Sequence, residues 1–184
     1  MGINFELLKF DINPLKEGFQ MPYGTVQETM FRYNPEDILS PELISFFTKN
    51  IASVTHVLLF HQRPGKIVQP IHMDGAGAFQ LCVNWVFAEK CMMSWFLPRV
   101  EKAPLVERNE ANAPYVRFTD DEVDLIEQTT DHGPFLASVG SVPHQAINLS
   151  DTDRWSISLR LPHALFRTWK IGLDKFSPWI INER

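Results

Sequence analysis

Cysteine is scarce. Cys82 and Cys91 are the only two among 184 residues, both lie in extended apolar runs, and no framework spacing surrounds them. That excludes a small secreted scaffold stapled by disulfides and predicts two reduced, buried thiols in a cytoplasmic protein, with a Cys82–Cys91 disulfide as the alternative. Long apolar runs are missing as well. No stretch approaches the roughly 18 apolar residues of a membrane span, and the first twenty positions hold no continuous apolar segment of a leader peptide. Met1-Gly2 opens like a myristoylation signal, but Glu6 stands where that signal needs Ser or Thr. Excess positive charge is also lacking. A net charge of −5 and a pI near 5.7 give no sequence-wide basic field, so neither nucleic acid nor a membrane is an expected partner. Internal repeats and low-complexity segments are absent. What remains is one globular domain, residues 1–184, within the usual span of about 100 to 200 residues for a domain with a substantial core.

Alternation dominates the middle of the chain. Residues 54–61, 79–87, 91–97, 135–139, 142–148 and 154–161 read as strands, with a further strand delivering His72, separated by turn signals such as Arg63-Pro64-Gly65-Lys66 and Gly75-Ala76-Gly77. About eight strands in two groups suit a mainly β, double-sheet jelly roll, that is, a double-stranded β-helix or cupin-like barrel over residues 54–161. The flanks are different in kind. Residues 1–35 predict short extended pieces packed onto the barrel. Ser40-Pro41-Glu42 supplies a cap, a first-turn proline and an acid before Leu43, Ile44, Phe47 and Ile51, predicting a helix to about residue 50. Residues 98–114 read as a charged loop, either a substrate-selecting rim or a plain insertion. Thr119-Asp120-Asp121-Glu122 is a capping-box pattern that predicts one or two helical turns. Residues 163–170 predict a short helix with Gly172 as its stop, and Trp169, Phe176, Trp179 and Ile180 predict a tail docked on the body or on another subunit.

The chemistry concentrates in Gln69-Pro70-Ile71-His72-Met73-Asp74-Gly75. Residues two apart on a strand share a face, so His72 and Asp74 converge on one point. A metal held there needs a third ligand, and His144 in Val142-Pro143-His144-Gln145-Ala146 is the best candidate. Two histidines and one carboxylate with open positions opposite form the facial triad of non-heme Fe(II) sites. Ten positions on, Arg154, Ser156, Ser158 and Arg160 occupy one face of a strand whose other face is Trp155, Ile157, Leu159 and Leu161. An arginine with a hydroxyl two residues on can grip the carboxylate of a dicarboxylate co-substrate, which assigns Arg154 and Ser156 to cofactor binding. Arg160 has the same parity and is the rival. His56 and His61 lie on opposite faces of the preceding strand, so one of them could face the pocket. Gln80, Asn84 and Trp95 could touch the co-substrate, and no role attaches to His132 or His163.

His72-Met73-Asp74, the run Leu81-Cys82-Val83-Asn84-Trp85-Val86-Phe87, His144 and Arg154-Trp155-Ser156 occur in an order that resembles the Fe(II)/2-oxoglutarate-dependent dioxygenases. Within them, the chain looks most like the aspartyl/asparaginyl hydroxylase-like branch that includes proline hydroxylases. The resemblance covers residues 55–161; several members of that branch lack the Asp ligand, whereas Asp74 is present here. It implies Fe(II) on His72, Asp74 and His144, 2-oxoglutarate as co-substrate, and hydroxylation of a small amino acid or an amino-acid side chain in a peptide. A non-oxygenase cupin-like module that binds a metal and a carboxylate is the alternative. The oligomeric state, a homodimer included, is left open.

Overall fold

The computed structural model describes residues 4–22, 28–64, 70–75, 80–99, 106–108 and 114–181, without the side chains of Glu28 and Thr29. The strands in chain order are β1 (Phe5–Leu7), β2 (Glu28–Tyr33), β3 (His56–Gln62), β4 (Ile71–Asp74), β5 (Leu81–Phe87), β6 (Cys91–Pro98), β7 (Val106–Arg108), β8 (Pro114–Phe118), β9 (Val123–Thr129), β10 (Phe135–Ser138), β11 (His144–Asn148) and β12 (Arg154–Arg160). The helices are α1 (Pro35–Ile38), α2 (Pro41–Asn50) and α3 (Trp169–Phe176). Two six-stranded antiparallel sheets result, one ordered β1-β10-β5-β12-β3-β2 and the other β7-β8-β4-β11-β6-β9. Eight of these strands make the barrel: β10-β5-β12-β3 faces β4-β11-β6-β9. This is the strand order of a cupin-type jelly roll, in which neighbouring strands of one sheet are distant in sequence and their pairing closes the barrel.

Each sheet face follows from strand parity. On β5 and β12 the pairs Asn84↔Ser158 and Val86↔Ser156 point between the sheets, and Trp85↔Ile157 and Val83↔Leu159 point away. The outward side packs under α2, whose Leu43 and Phe47 are fully buried, and under the chain ends. Ser40 caps α2 by accepting the Leu43 N–H at 3.2 Å, as its sequence predicts. Between the sheets, Cys82 and Val86 meet Cys91, Met93 and Trp95, with Phe5 stacked on Trp95 at 4.9 Å between centroids. Both cysteines are buried free thiols.

Several expectations are corrected. The described strands number twelve, because β1 and β2 extend the first sheet at its two edges and β7 and β8 extend the second. The segment 98–114 is not simply a loop: β7 within it pairs with β8, although 100–105 and 109–113 lie outside the described residues. The capping box forms, with the Thr119 N–H donating to Glu122 Oε2 at 2.9 Å, but it governs one 3-10 turn (Asp120–Glu122) and the chain then runs straight into β9. The last helix starts at Trp169, where the Thr168 hydroxyl caps Ile171, and it runs through Gly172. Phe176 and Ile180 dock on the body as expected. Gly65, Lys66, Ala76, Gly77 and Gln69 lie outside the described residues.

Gly133 enters β10 with φ +91, and a Cβ there would collide with the Asn84 carbonyl oxygen on β5. A left-handed backbone costs an L residue about 1 to 2 kcal/mol, and a β-ladder carbonyl cannot swing away. Gly133→Ala is therefore expected to lower the thermal midpoint by about 4 to 8 °C, taking roughly 2 kcal/mol at about 2 to 4 °C each for a chain of this size. Calorimetry checks this; an unchanged midpoint would mean that the turn relaxes freely.

Candidate metal centre and anion pocket

β4 and β11 are adjacent antiparallel strands, and their register sets His72 directly opposite His144. Opposed residues share a face, so the two imidazoles meet with ring centroids 4.5 Å apart. Asp74, two residues along β4, brings Oδ1 to 3.5 Å from His72 Nε2. One donor atom from each of the three side chains lies within 4.8 Å of the others. The next residue, Gly75, turns the chain with φ +63 at a point where a Cβ would strike the Gln80 amide.

The imidazoles are also fixed in tautomer. His72 Nδ1–H donates to the Pro70 carbonyl at 2.8 Å and His144 Nδ1–H to the Val142 carbonyl at 3.2 Å. A carbonyl can only accept, so each Nε2 keeps a lone pair for a cation, the arrangement in which outer hydrogen bonds orient metal-binding histidines. Electrostatics favour an ionised Asp74 and a neutral His144, and bias His72 toward holding a proton on Nε2 that a cation would displace. Burial opposes ionisation of Asp74, but the Arg160 guanidinium, His72 and His144 outweigh it and hold the carboxyl well below the usual carboxylate range. Burial together with the neighbouring His72 pushes His144 down to about 3. Burial also opposes protonation of His72, yet the Asp74 hydrogen bond and charge raise it above its ordinary value. Two nitrogen donors and one carboxylate oxygen, borderline ligands on one side of a cavity, fit a divalent transition metal.

The cavity beside this triad runs down the barrel between the sheets. Its polar lining includes Arg154, Ser156, Ser158, Arg160 and Asn84, while Phe60, Val86 and Phe135 are among its apolar walls. The whole polar face of β12 thus points inward, and all seven of its residues are buried. Arg160, beside Asp74, and Arg154 stand at opposite ends of β12, and both line the same cavity. Arg154 leans back up the strand, since its Nη1 donates to Ser156 Oγ at 3.3 Å. It is 3% exposed, and among the described residues its Nε has no partner and no carboxylate pairs with it. Burial draws its pKa below the ordinary value, opposed only by Cys91. A buried guanidinium in that condition costs stability and is suited to an incoming anion.

Arg160 is differently engaged. Its Nη2 donates to Asp74 Oδ2 at 2.9 Å and its Nη1 to Gln80 Oε1 at 3.1 Å. The rival arginine is thus already paired with an acid. Of the other candidates, Asn84 lines the cavity with a buried Oδ1 that has no partner. Trp95 is a core residue, fully buried and donating Nε1–H to the Ser138 carbonyl. His61 lies on the far face, stacked on Trp155 at 4.1 Å and 3.3 Å from Asp153. His56, on the barrel side of β3, sits at the Arg160 end of that strand. Sequence reading passed over Tyr115: β8 sets it opposite Asp74, and its ring lies edge-on to His72 at 6.2 Å. Its hydroxyl donates to Glu107 Oε2 at 2.7 Å. The pairing of β8 with β4 was its only signal, and no local motif carries that.

No protein-family profile matches the chain, and no curated protein matches it. Solved structures do. Oxalate decarboxylase from Bacillus subtilis is similar at 12% identity and a TM-score of 0.37, over 77% of this chain and 27% of that one. The capsular polysaccharide assembling protein CapF from Staphylococcus aureus is similar at 16% identity and a TM-score of 0.29, over 56% of this chain and 22% of that one. The chain thus spans about a quarter of the length of these structures. At such scores the likeness adds nothing to the strand order already described.

Proposed function

We propose that the protein is a non-heme Fe(II) and 2-oxoglutarate-dependent dioxygenase that hydroxylates a small amino acid or an amino-acid side chain. The observation that carries this reading is Arg154, a buried guanidinium with no carboxylate partner among the described residues, lining the same cavity as two histidines and an aspartate. A dicarboxylate with a 2-oxo acid at one end matches that arrangement: the oxo acid toward the triad, the distal carboxylate on Arg154 and Ser156. When bound, Fe(II) with 2-oxoglutarate and dioxygen supplies the oxidising power to hydroxylate an unactivated C–H bond.

The chain's own residues do the rest. His72, Asp74 and His144 would hold the ion from one side, leaving positions open toward the cavity. Arg154 fixes the length and direction of the co-substrate through a planar fork that a lysine cannot reproduce. Phe60, Val86 and Phe135 keep water from the path between them. Asn84 and Ser158, side by side on β5 and β12, offer the polar contacts between the two ends.

The test is an anaerobic titration with Fe(II) and 2-oxoglutarate, followed by oxygen-dependent release of succinate with and without free amino acids. Binding of metal and carboxylate without any succinate would favour a non-oxygenase cupin-like module. Substrate choice belongs to the wall formed by β7 and β8, because Tyr115 and Glu107 stand there beside His72 on an extension of the rigid sheet. Shortening residues 99–113 while retaining β8 is expected to leave uncoupled succinate release largely intact and to reduce product formation coupled to it. Loss of both in a folded variant would move this wall into the oxidative machinery.

A further inference from the structure

We infer that Arg160 is a positioning residue for the metal centre: it holds Asp74 so that only Oδ1 faces the histidine pair. This rests on the metal reading of the triad but not on the identity of any co-substrate. The geometry divides the carboxylate in two. Oδ2 accepts from Arg160 Nη2 at 2.9 Å, and Oδ1 lies 3.5 Å from His72 Nε2. A free carboxylate at a strand end can rotate, or chelate a cation through both oxygens, and either would consume a position the cavity side needs. Arg160 prevents both. It is itself held from two directions, by the β12 backbone within its sheet and by Gln80 Oε1 on its other terminal nitrogen. The Gln80 amide in turn packs against Gly75, where a Cβ would displace it and the left-handed backbone, φ +63, disfavours any side chain. A chain of contacts thus runs from Gly75 through Gln80 and Arg160 back to Asp74, closing a ring around the carboxylate. Arg160 is 7% exposed, so water does not compete effectively for these bonds. The two arginines of β12 therefore have separate tasks: Arg154 has no acid among the described residues and faces the cavity, while Arg160 has one and orients it.

The sign of the effect on metal binding separates this role from simple charge. Removing a nearby cation, taken alone, strengthens the binding of a divalent ion. Removing the group that orients a ligand weakens it, by roughly tenfold to a hundredfold for such outer partners. The experiment is a titration of the full chain with Co(II) alone, followed by its visible absorption bands, in the parent and in Arg160→Gln, Arg160→Lys and Gln80→Ala. The expected result is at least about tenfold weaker Co(II) binding with altered bands in Arg160→Gln, and recovery of most of that loss in Arg160→Lys, which keeps a cation for Oδ2. Gln80→Ala, which leaves the ion pair in place, should weaken binding by a smaller factor and keeps the test decisive if Arg160→Gln does not fold. Tighter or unchanged binding in Arg160→Gln, or unchanged binding and bands in Gln80→Ala, would overturn the inference. A parent protein that takes up no Co(II) would instead overturn the metal reading beneath it.

Discussion

Replacing Arg154 with methionine is expected to raise the thermal midpoint of the ligand-free protein and at the same time weaken 2-oxoglutarate binding at least about tenfold. The two effects have one cause. Arg154 is a buried cation whose Nε has no partner among the described residues and whose relief there is a hydroxyl and a thiol. An apolar chain of similar length removes that desolvation cost, and swaps of buried charge for well-packed apolar groups are commonly neutral or stabilising by about 1 to 4 kcal/mol. At about 2 to 4 °C for each kcal/mol, a gain of a few degrees is expected. The binding loss follows from the other side of the same ledger. Hydrogen bonds to charged groups contribute roughly 1.5 to 3 kcal/mol, and each 1.4 kcal/mol is about one decade of affinity. Ser156→Ala should weaken binding more mildly, and Arg154→Lys should not restore it, since an ammonium lacks the fork. Calorimetric titration with 2-oxoglutarate and thermal melts with and without it measure both halves. If Arg154→Met left affinity intact while Arg160→Ala destroyed it, the assignment of the two arginines would be reversed; if neither mattered, the oxygenase reading should be given up for the metal-binding cupin.

Much of this arrangement is legible in the sequence because it depends on parity. Arg154, Ser156, Ser158 and Arg160 alternate with four large apolar residues, and a period of two admits one assignment of faces once the strand is buried on both sides. The same holds for His72 and Asp74. Their meeting with His144 is a different kind of fact, a pairing of strands seventy residues apart, and the sequence offers only the residue types for it. The bond from Arg160 to Asp74 is less legible still. It joins the C-terminal ends of β12 and β4 across the two sheets, and nothing in either local run marks it.

The misread segments have physical reasons too. β9 carries exposed side chains at Asp124, Leu125, Ile126 and Gln128, so it shows no clean alternation, and the capping box before it supplied the stronger local signal. β7 is three residues long and pairs with β8 alone among the described strands. Gly172 reads as a helix stop because glycine commonly ends helices. In the structure it is a contact: a Cβ there would come within 2.8 Å of Leu81 Cδ2, so its bareness lets α3 lie close on β5. Glycine as terminator and glycine as spacer look the same until the neighbouring element is placed.

The second large effect concerns the metal. His144→Ala or His72→Ala is expected to abolish tight binding of Fe(II) or Co(II), because the remaining two ligands cannot hold the ion against water and competing chelators. His144 should be the more damaging of the two to lose cleanly, since it is 5% exposed and opposes both His72 and Trp95, so a variant there needs a folding check by near-ultraviolet circular dichroism. Asp74→Ala should also fail, and it leaves Arg160 without its acid. The pH dependence of binding in the parent is a further signature, and its sign follows from the site. Asp74 is ionised throughout the accessible range, and His144, at about 3, stays neutral above mildly acidic pH. His72 is the group whose proton the metal must displace, because Asp74 raises its pKa above the ordinary value. Affinity should therefore be constant at alkaline pH and fall about tenfold per unit as pH drops through the His72 value, with one proton released per ion bound. Titrations in buffers of different ionisation enthalpy count that proton. Release of two protons near neutral pH would mean that His144 is also protonated in the free protein, and binding without any pH dependence down to about pH 5 would remove His72 from the ligand set.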